Sequence, residues 1–567
     1  MKLDATYITP IEHHNPLEPH ATIARWDGDK LTVWTATKGI SGAQKTLAGL
    51  FGIDPNQVRV ICPFVGGGFG CKGSTWPPAT LAAMAAKVVR KPVKLVLTRA
   101  QMFTSNGYRP RTIQKLKFAA DAAGKLVSMR HDGFSQMAQP ILGEFVEPVG
   151  LVTEMLYDCP NVAVTHRLVA VNAGLPTYMR APGEASGNFA LESAIDELAV
   201  ALKLDPLKFR LKNYAALDPH ENKPFASKML QECYTQGAES FGWSRRTPEP
   251  RSMRDGRMLV GWGMATSTYP TNQRPAQVRV RIAANGMVLV QSGTQDLGTG
   301  TYTVMSQLAA DTLGIPVEQV RFELGDSALP PAPGSGGSST VPSVAPAVAA
   351  ACHAVRDKIF ELARRATQLS WHDVPASALR LENGTIIAPG GSVRIADLLA
   401  RAGQDAVEAE AGTALDDTAK RYSRHAFGAQ FAEVLVDPDL GTIRVNRWVG
   451  AFDAGQVLNS NTAHSQLIGG ITYGIGMALL EETHVDAKTG RVVNANIAEY
   501  LVPVNADVPD IQAVFVANDE RNSNPLGVKG IGEPPMVGVD AAIANAVYHA
   551  TGVRVRKVPI RIEDVLI

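Results

Sequence analysis

Two spacings of apolar residues run along the chain, and each predicts an element. Leu31–Thr35 and Gln57–Ile61 alternate apolar and polar positions, the period of a half-buried strand. Thr80–Val89 and Gly187–Leu202 repeat apolar residues every three or four positions, the period of a helix lying on a core. Phe431–Val436 and Thr442–Val449 flank the polar turn Asp437–Gly441 and predict a hairpin. Ala345–Ala363 reads as an alanine-rich helix entered directly from a glycine–serine loop, and Ser41 as the cap of a helix following Thr37.

Two stretches carry this pattern in the same order. Residues 28–59 hold an alternating strand, a threonine and a turn, an amphipathic helix, then Gly-Ile and Gln-Val-Arg leading into another strand; residues 285–321 do the same. Thr37 matches Thr294 and Arg59 matches Arg321, so the offset grows only from 257 to 262 residues. Each copy runs into a glycine-rich loop, Gly66–Gly73 in the first and Gly334–Ser339 in the second. A repeat this long predicts duplication. The expected product is an α+β protein of two large domains, 1–243 and 258–567, joined through the polar stretch Ser244–Arg257.

Over 567 residues, 45% apolar and 19% charged content describes a globular chain, not a disordered one. Lys+Arg 55 against Asp+Glu 54 leaves a net charge of +1, which removes the global field that a nucleic acid or an acidic membrane surface needs. Cys62, Cys71, Cys159, Cys233 and Cys352 are too scattered for a disulfide framework or an iron–sulfur cluster within this chain. The N-terminus lacks the basic and apolar regions of a signal peptide. Val341–Val355 and Leu467–Leu480 are too short and too interrupted to read as membrane spans.

Four motifs carry candidate chemistry. VRVICPFVGGGFGCKG spaces Gly68, Gly70 and Gly73 as G-x-G-x-x-G after a strand, but no acid follows about twenty positions later to hold a ribose. The loop is therefore either a tight strand-to-helix turn or bare backbone that approaches a cofactor. Glu12, His13, His14, Glu18 and His20 crowd together but match no zinc spacing, and two prolines keep them off one helical face, which favours a structural role. Arg180 lies between Pro176 and Pro182 ahead of a helix, a rigid setting that suits a substrate-orienting guanidinium. Glu533 follows Gly530 and Gly532 and precedes two prolines; it is either an exposed loop acid or a general base.

Together these motifs resemble the large, molybdenum-binding subunit of the xanthine oxidase family, and within it the aldehyde oxidoreductase subunits that work with separate flavin and iron–sulfur chains. GGGFGCK at 66–72 is similar to the family's GGGFGGK loop, and Met179–Gly183 to its arginine segment. DLGTG at 296–300 is similar to its D-x-G-Q-G loop, and GSGGSS at 334–339 to its cofactor loop. Ser465–Gly470 is similar to its glutamine-containing pterin contact, and GVKGIGE at 527–533 to its catalytic glutamate loop.

The resemblance implies two domains gripping a molybdopterin cytosine dinucleotide, with molybdenum held by the pterin and by no protein side chain. The implied contacts are Lys38, Gly67, Gly68, Phe69, Gly70, Gly298, Thr299, Gly300, Ser335, Gly336, Ser338, Gln466, Lys529 and Gly530. Glu533 would be the catalytic base and Arg180 the substrate-orienting cation, in oxidation of aldehydes, aromatic ones foremost, to carboxylic acids with water as oxygen source. Tyr269 and Gly73 would line the substrate pocket. Purine-oxidising relatives carry a glutamate where Gly73 stands, so purines are expected to be poor substrates. Electrons would pass to a separate 2Fe–2S subunit and an FAD subunit, in the cytoplasm, or in the periplasm if a signal-bearing partner exports the complex.

Three departures from the family pattern stand out. Lys38 occupies the place of a glutamine near the metal, whereas the repeat keeps Gln295 at the equivalent position. Thr299 replaces a glutamine common in relatives and removes one hydrogen bond to the cofactor. Family subunits usually begin with a further domain that the resemblance does not cover here. Two other readings follow: a cofactor-binding or inactive truncated subunit, or a hydroxylase of an N-heterocycle.

Overall fold

Each copy of the repeat builds the same pair of sheets. The computed structural model describes residues 1–139, 144–414 and 417–566. In the first copy Lys2–Thr9, Thr112–Ala120, Leu126–Met137 and Val162–Ala170 lie side by side, antiparallel except for the parallel last pair. In the second, Met258–Pro270, His425–Val436, Ile443–Asp453 and Asp510–Phe515 repeat that order and those directions. Between the first two strands of each set the chain departs to build a smaller sheet. Its order is Val58–Ile61, Lys30–Thr35, Ala21–Asp27, Val93–Val96 in one copy. In the other it is Val320–Glu323, Val288–Gln291, Ala276–Ala283, Ala406–Thr413. In both, the one parallel pair is joined across a helix, Ile40–Phe51 or Thr301–Leu313. The pattern read at 28–59 and 285–321 is thus one part of a correspondence that runs through most of the chain. With 32% helix and 28% strand, the class is α+β, as expected.

Burial follows from these pairings. Thr112–Ala120 buries every second residue, because one face of its sheet packs and the other meets solvent. Met258–Pro270 is buried on nearly every position, because it lies mid-sheet with helix Val539–Thr551 against it. The largest core draws residues from Ala5 to Val565, so the two large sheets and helices Glu184–Ala201 and Val539–Thr551 form one body. Each small sheet keeps a core of its own, within 24–86 and 276–409. The small sheets meet where the Cys62 N–H donates to the Gly325 carbonyl at 2.6 Å.

The hairpin forms as predicted, from His425–Val436 and Ile443–Asp453. The alanine-rich helix is longer than its spacing predicts, Thr340–Arg365 with Pro346 inside it. Ser41 is not a cap. Helix Ile40–Phe51 starts one residue before it, Gly39 takes the cap position, and Thr37 Oγ1 accepts the Gly39 N–H at 3.1 Å. Among the described residues no helix is long and apolar enough to cross a membrane.

Candidate active site

A cavity of about 1130 Å³ lies between the two copies, somewhat larger than a typical small-ligand pocket. Residues 68–70 and 178–180 supply one wall; 297–299, 334–342, 528–533 and residues within 456–473 supply the others. Three helices begin at the wall: Thr301–Leu313, Thr340–Arg365 and Ser460–Leu479. Helix Thr340–Arg365 has no side-chain cap, so its leading N–H groups are available to an anion, whereas at the start of Thr301–Leu313 the Tyr302 N–H donates to Asp296 Oδ2 at 3.3 Å.

The glycine-rich loop is pinned from behind. Buried Lys72 pairs with Glu18 Oε2 at 2.5 Å, and the Gly66 N–H donates to the same oxygen at 2.8 Å. The backbone then turns through positive φ at Gly67 (+86°), Phe69 (+50°) and Gly70 (+130°). A Cβ on Gly70 would sit 2.1 Å from the Tyr178 carbonyl oxygen, so the fold itself demands glycine there. Gly68 differs: its φ is ordinary, and a Cβ would meet nothing nearer than Lys72 Cβ at 3.8 Å. The fold has room for a methyl at Gly68, on the cavity wall.

Arg180 and Glu533 come together across the wall from opposite ends of the chain. Arg180 Nε donates to the Gly532 carbonyl at 2.7 Å and Nη2 to the Gln466 carbonyl at 3.2 Å. Glu533 accepts the Ala181 N–H on Oε1 and the Ser338 hydroxyl on Oε2, both at 3.1 Å. Burial, then the Glu533 charge, holds the Tyr269 phenol well above its usual pKa.

The Arg180 segment is strained, with φ of +56° at Ala181 and +88° at Gly183. Arg109, fully buried, supports it: Nη2 donates to the Arg180 carbonyl at 2.6 Å, while the guanidinium pairs with Glu12 at 3.0 Å and Glu147 at 3.1 Å. Glu147 Oε1 also accepts the Gly183 N–H at 2.9 Å. Burial outweighs Arg109 and pushes the Glu12 carboxyl up to about 7.

The other expected contacts divide. Lys38, Phe69, Gly73, Gly298, Thr299, Ser335, Gly336, Gln466 and Gly530 line the cavity. Gly67 and Gly300 do not. Gly67 faces Pro16 and the Phe69 ring, and Gly300 faces Thr462, so both shape the wall from behind. Lys529 needs a correction too: its ammonium is committed to buried Asp453 at 2.7 Å and leaves only backbone for a ligand. Asp296 folds the 296–300 loop by accepting the Gly298 and Thr299 N–H groups at 2.7 and 3.1 Å. The repeat-related pair also diverges. Gln295 is buried and accepts the Ser335 N–H, whereas Lys38 aims its side chain into the cavity.

Sequence reasoning missed Tyr178, whose hydroxyl fills the space beside Gly73 where a Cβ would sit at 2.3 Å. Its only signal was its place two residues before Arg180. His13 and His14 are buried, with burial lowering them to about 4 and about 3; His14 also touches the cavity, bonded to the Tyr178 carbonyl at 3.0 Å. Among the described residues no cluster of His, Cys, Asp or Glu could hold a metal.

Open glycine faces, the uncapped start of helix Thr340–Arg365 and the half-buried cations Lys38 and Arg180, set between two copies of one domain, define a protein built to hold a large anionic organic cofactor. Residues 1–214 and 236–509 match two separate family models, each described as a molybdopterin cofactor-binding domain. The chain is 39% identical over its full length to the aldehyde oxidoreductase molybdenum-binding subunit PaoC of Escherichia coli (strain K12), covering 75% of that protein. It is 32% identical over 98% of its length to the putative xanthine dehydrogenase molybdenum-binding subunit XdhA of the same organism, covering 75% of it. The chain belongs to the molybdenum-binding subunits of the xanthine oxidase type, and the cofactor its two domains bind is a molybdenum pterin. Quinoline 2-oxidoreductase from Pseudomonas putida 86 shares the fold at a TM-score of 0.89 and 23% identity, over 100% of this chain and 75% of that one. Aldehyde oxidoreductase from Desulfovibrio gigas does so at 0.83 and 23%, over 100% of this chain and 61% of that one.

Proposed function

We propose that this chain is the molybdenum-binding subunit of an enzyme that oxidises aldehydes, aromatic ones foremost, to carboxylic acids with water as the oxygen source. The observation that carries the reading is Glu533, clamped at the cavity wall by one N–H and one hydroxyl beside Arg180. The identity to PaoC along the whole chain supports the aldehyde.

When bound, the cofactor supplies the two-electron redox chemistry. Glu533 takes up the proton released as water's oxygen joins the carbonyl carbon, and its two donors hold the carboxylate in the orientation to receive it. Arg180, with Nε and Nη2 engaged, turns Nη1 to the substrate oxygen. Tyr178 and Tyr269 form aromatic walls that select flat aryl groups and exclude water. Cytosine dinucleotide as the form of the cofactor, separate 2Fe–2S and FAD subunits as electron acceptors, and the division into 1–243 and 258–567 belong to this reading. So do the remaining cavity-lining contacts. The complex would work in the cytoplasm, or in the periplasm when a partner carries the export signal.

The test is dye reduction by the purified complex, with molybdenum measured in the same preparation. Benzaldehyde should be oxidised faster than hypoxanthine at equal concentration; the reverse order would sink the aldehyde reading and the pocket built on Gly73 and Tyr178.

A further inference from the structure

Of three lysines in the loops that build the cavity, two have a carboxylate beside them and one does not. Lys72 has Glu18 at 2.5 Å and Lys529 has Asp453 at 2.7 Å. Lys38, half-buried on the cavity wall, has no carboxylate within 4 Å among the described residues, and desolvation lowers its pKa. Its main chain is fixed at both ends, the N–H on the Lys72 carbonyl at 2.9 Å and the carbonyl on the Ser335 N–H at 2.7 Å. The side chain is therefore aimed, not loose. It runs past Gly68 toward Gly336, where a Cβ would come within 2.9 Å of Nζ, and its ammonium stands 5.4 Å over the Tyr178 ring. An aromatic face at that distance attracts a cation only weakly and gives its N–H donors no acceptor. Glu533 acts on it through space without forming an ion pair.

A cation partly withdrawn from water and left unpaired carries a desolvation cost that a bound anion would offset. We infer that Lys38 is an anion anchor of the cavity, built to take a negatively charged oxygen from whatever fills it. Two sources offer that chemistry: an oxygen of the bound cofactor, and the carboxylate product, the latter resting on the aldehyde reading above. Both meet Lys38 from the open space that Gly68 and Gly336 leave beside it. In either case the positive charge is what matters, not the length of the side chain.

The test uses the purified complex carrying Lys38→Met, Lys38→Gln or Lys38→Arg. One arm measures molybdenum and released nucleotide per chain; the other measures the dissociation constant of benzoate by protein fluorescence. Lys38→Met and Lys38→Gln should lose roughly tenfold or more in at least one arm, the scale of one charge-assisted hydrogen bond, while Lys38→Arg holds near wild type. Loss of cofactor alone assigns the anchored oxygen to the cofactor, and weaker benzoate alone assigns it to the product. Thermal unfolding of cofactor-free protein should not fall in Lys38→Met, since no partner is lost. The inference is overturned if both arms match wild type, if Lys38→Arg fails as badly as Lys38→Met, or if the cofactor-free variant melts earlier. A wild-type complex that binds benzoate through Lys38 yet oxidises no aldehyde would retire the aldehyde reading and leave the anchor standing.

Discussion

Gly68 and Gly70 are two residues apart in one loop, and alanine at each should fail for different reasons. At Gly70 the φ of +130° is a conformation L-residues avoid, at a cost on the order of 1–3 kcal/mol. The new Cβ would also lie 2.1 Å from the Tyr178 carbonyl oxygen and 2.9 Å from His14 Nε2. Backbone cannot move aside as a flexible side chain does, so overpacking adds roughly 1–3 kcal/mol more. The total, roughly 2–6 kcal/mol, is a large part of a stability that usually lies at about 5–15 kcal/mol. At Gly68 a methyl meets ordinary contacts of 3.8 and 3.9 Å, so stability should change by no more than about 0.5 kcal/mol. That methyl instead occupies the cavity wall, where overlap with a closely packed ligand costs roughly 1–3 kcal/mol, or about 5- to 150-fold in affinity. Molybdenum per chain and thermal unfolding by circular dichroism, measured on the same preparations, separate the two effects. Gly68→Ala should melt like wild type and lose metal; Gly70→Ala should melt several degrees lower. If Gly68→Ala keeps full metal at an unchanged melting temperature, the loop does not approach the cofactor at Gly68. If Gly70→Ala is as stable as wild type, the strain argument is wrong.

Three further outcomes follow from the geometry. Glu533→Gln keeps an acceptor for the Ala181 N–H and a partner for Ser338, so metal content should hold while kcat falls about 10²–10⁴-fold; a variant keeping a tenth of wild-type kcat would remove Glu533 as the base. Arg109→Leu leaves Glu12 and Glu147 buried and unpaired and frees the Arg180 carbonyl, which should cost roughly 3–5 kcal/mol, and a loss under about 1 kcal/mol in denaturant unfolding would refute its supporting role. Burial pushes the Asp540 carboxyl up to about 8. The folded state therefore keeps a proton there that the unfolded chain gives up above about 4, and stability drains as pH rises through that window. Asp540→Asn should accordingly raise the melting temperature relative to wild type at pH 8 and much less at pH 5; an equal effect at both values would show that the carboxyl is not protonated in the fold.

How much was legible in the sequence depended on the range of the physics involved. Strand and helix periods are set within ten or so residues, so Lys30–Thr35, Val58–Ile61, Pro77–Val89 and the 425–453 hairpin were readable without neighbours. The duplication was readable because both copies face the same packing problem and kept the same spacing. The Gly66–Gly73, Met179–Gly183 and Gly527–Glu533 segments were recognisable because each is a short run with unusual backbone demands.

What the periods could not show was which residue faces which. Gly67 and Gly68 are neighbours of one type, yet Pro16 closes over one and the cavity opens before the other. Lys72, Lys529 and Lys38 are three lysines in three loops, and only tertiary pairing separates the two bound by Glu18 and Asp453 from the one left facing the cavity. Arg109 gave no local signal at all, because its partners lie 97 positions before it and 38 after it. The same holds for the meeting of Arg180 with Gly532 across 352 residues. Secondary structure and motif identity come from contacts along the chain, and one strand of sequence contains them. Charge pairing, burial and the aim of a side chain come from contacts between segments far apart in sequence, so they existed only once the chain had folded.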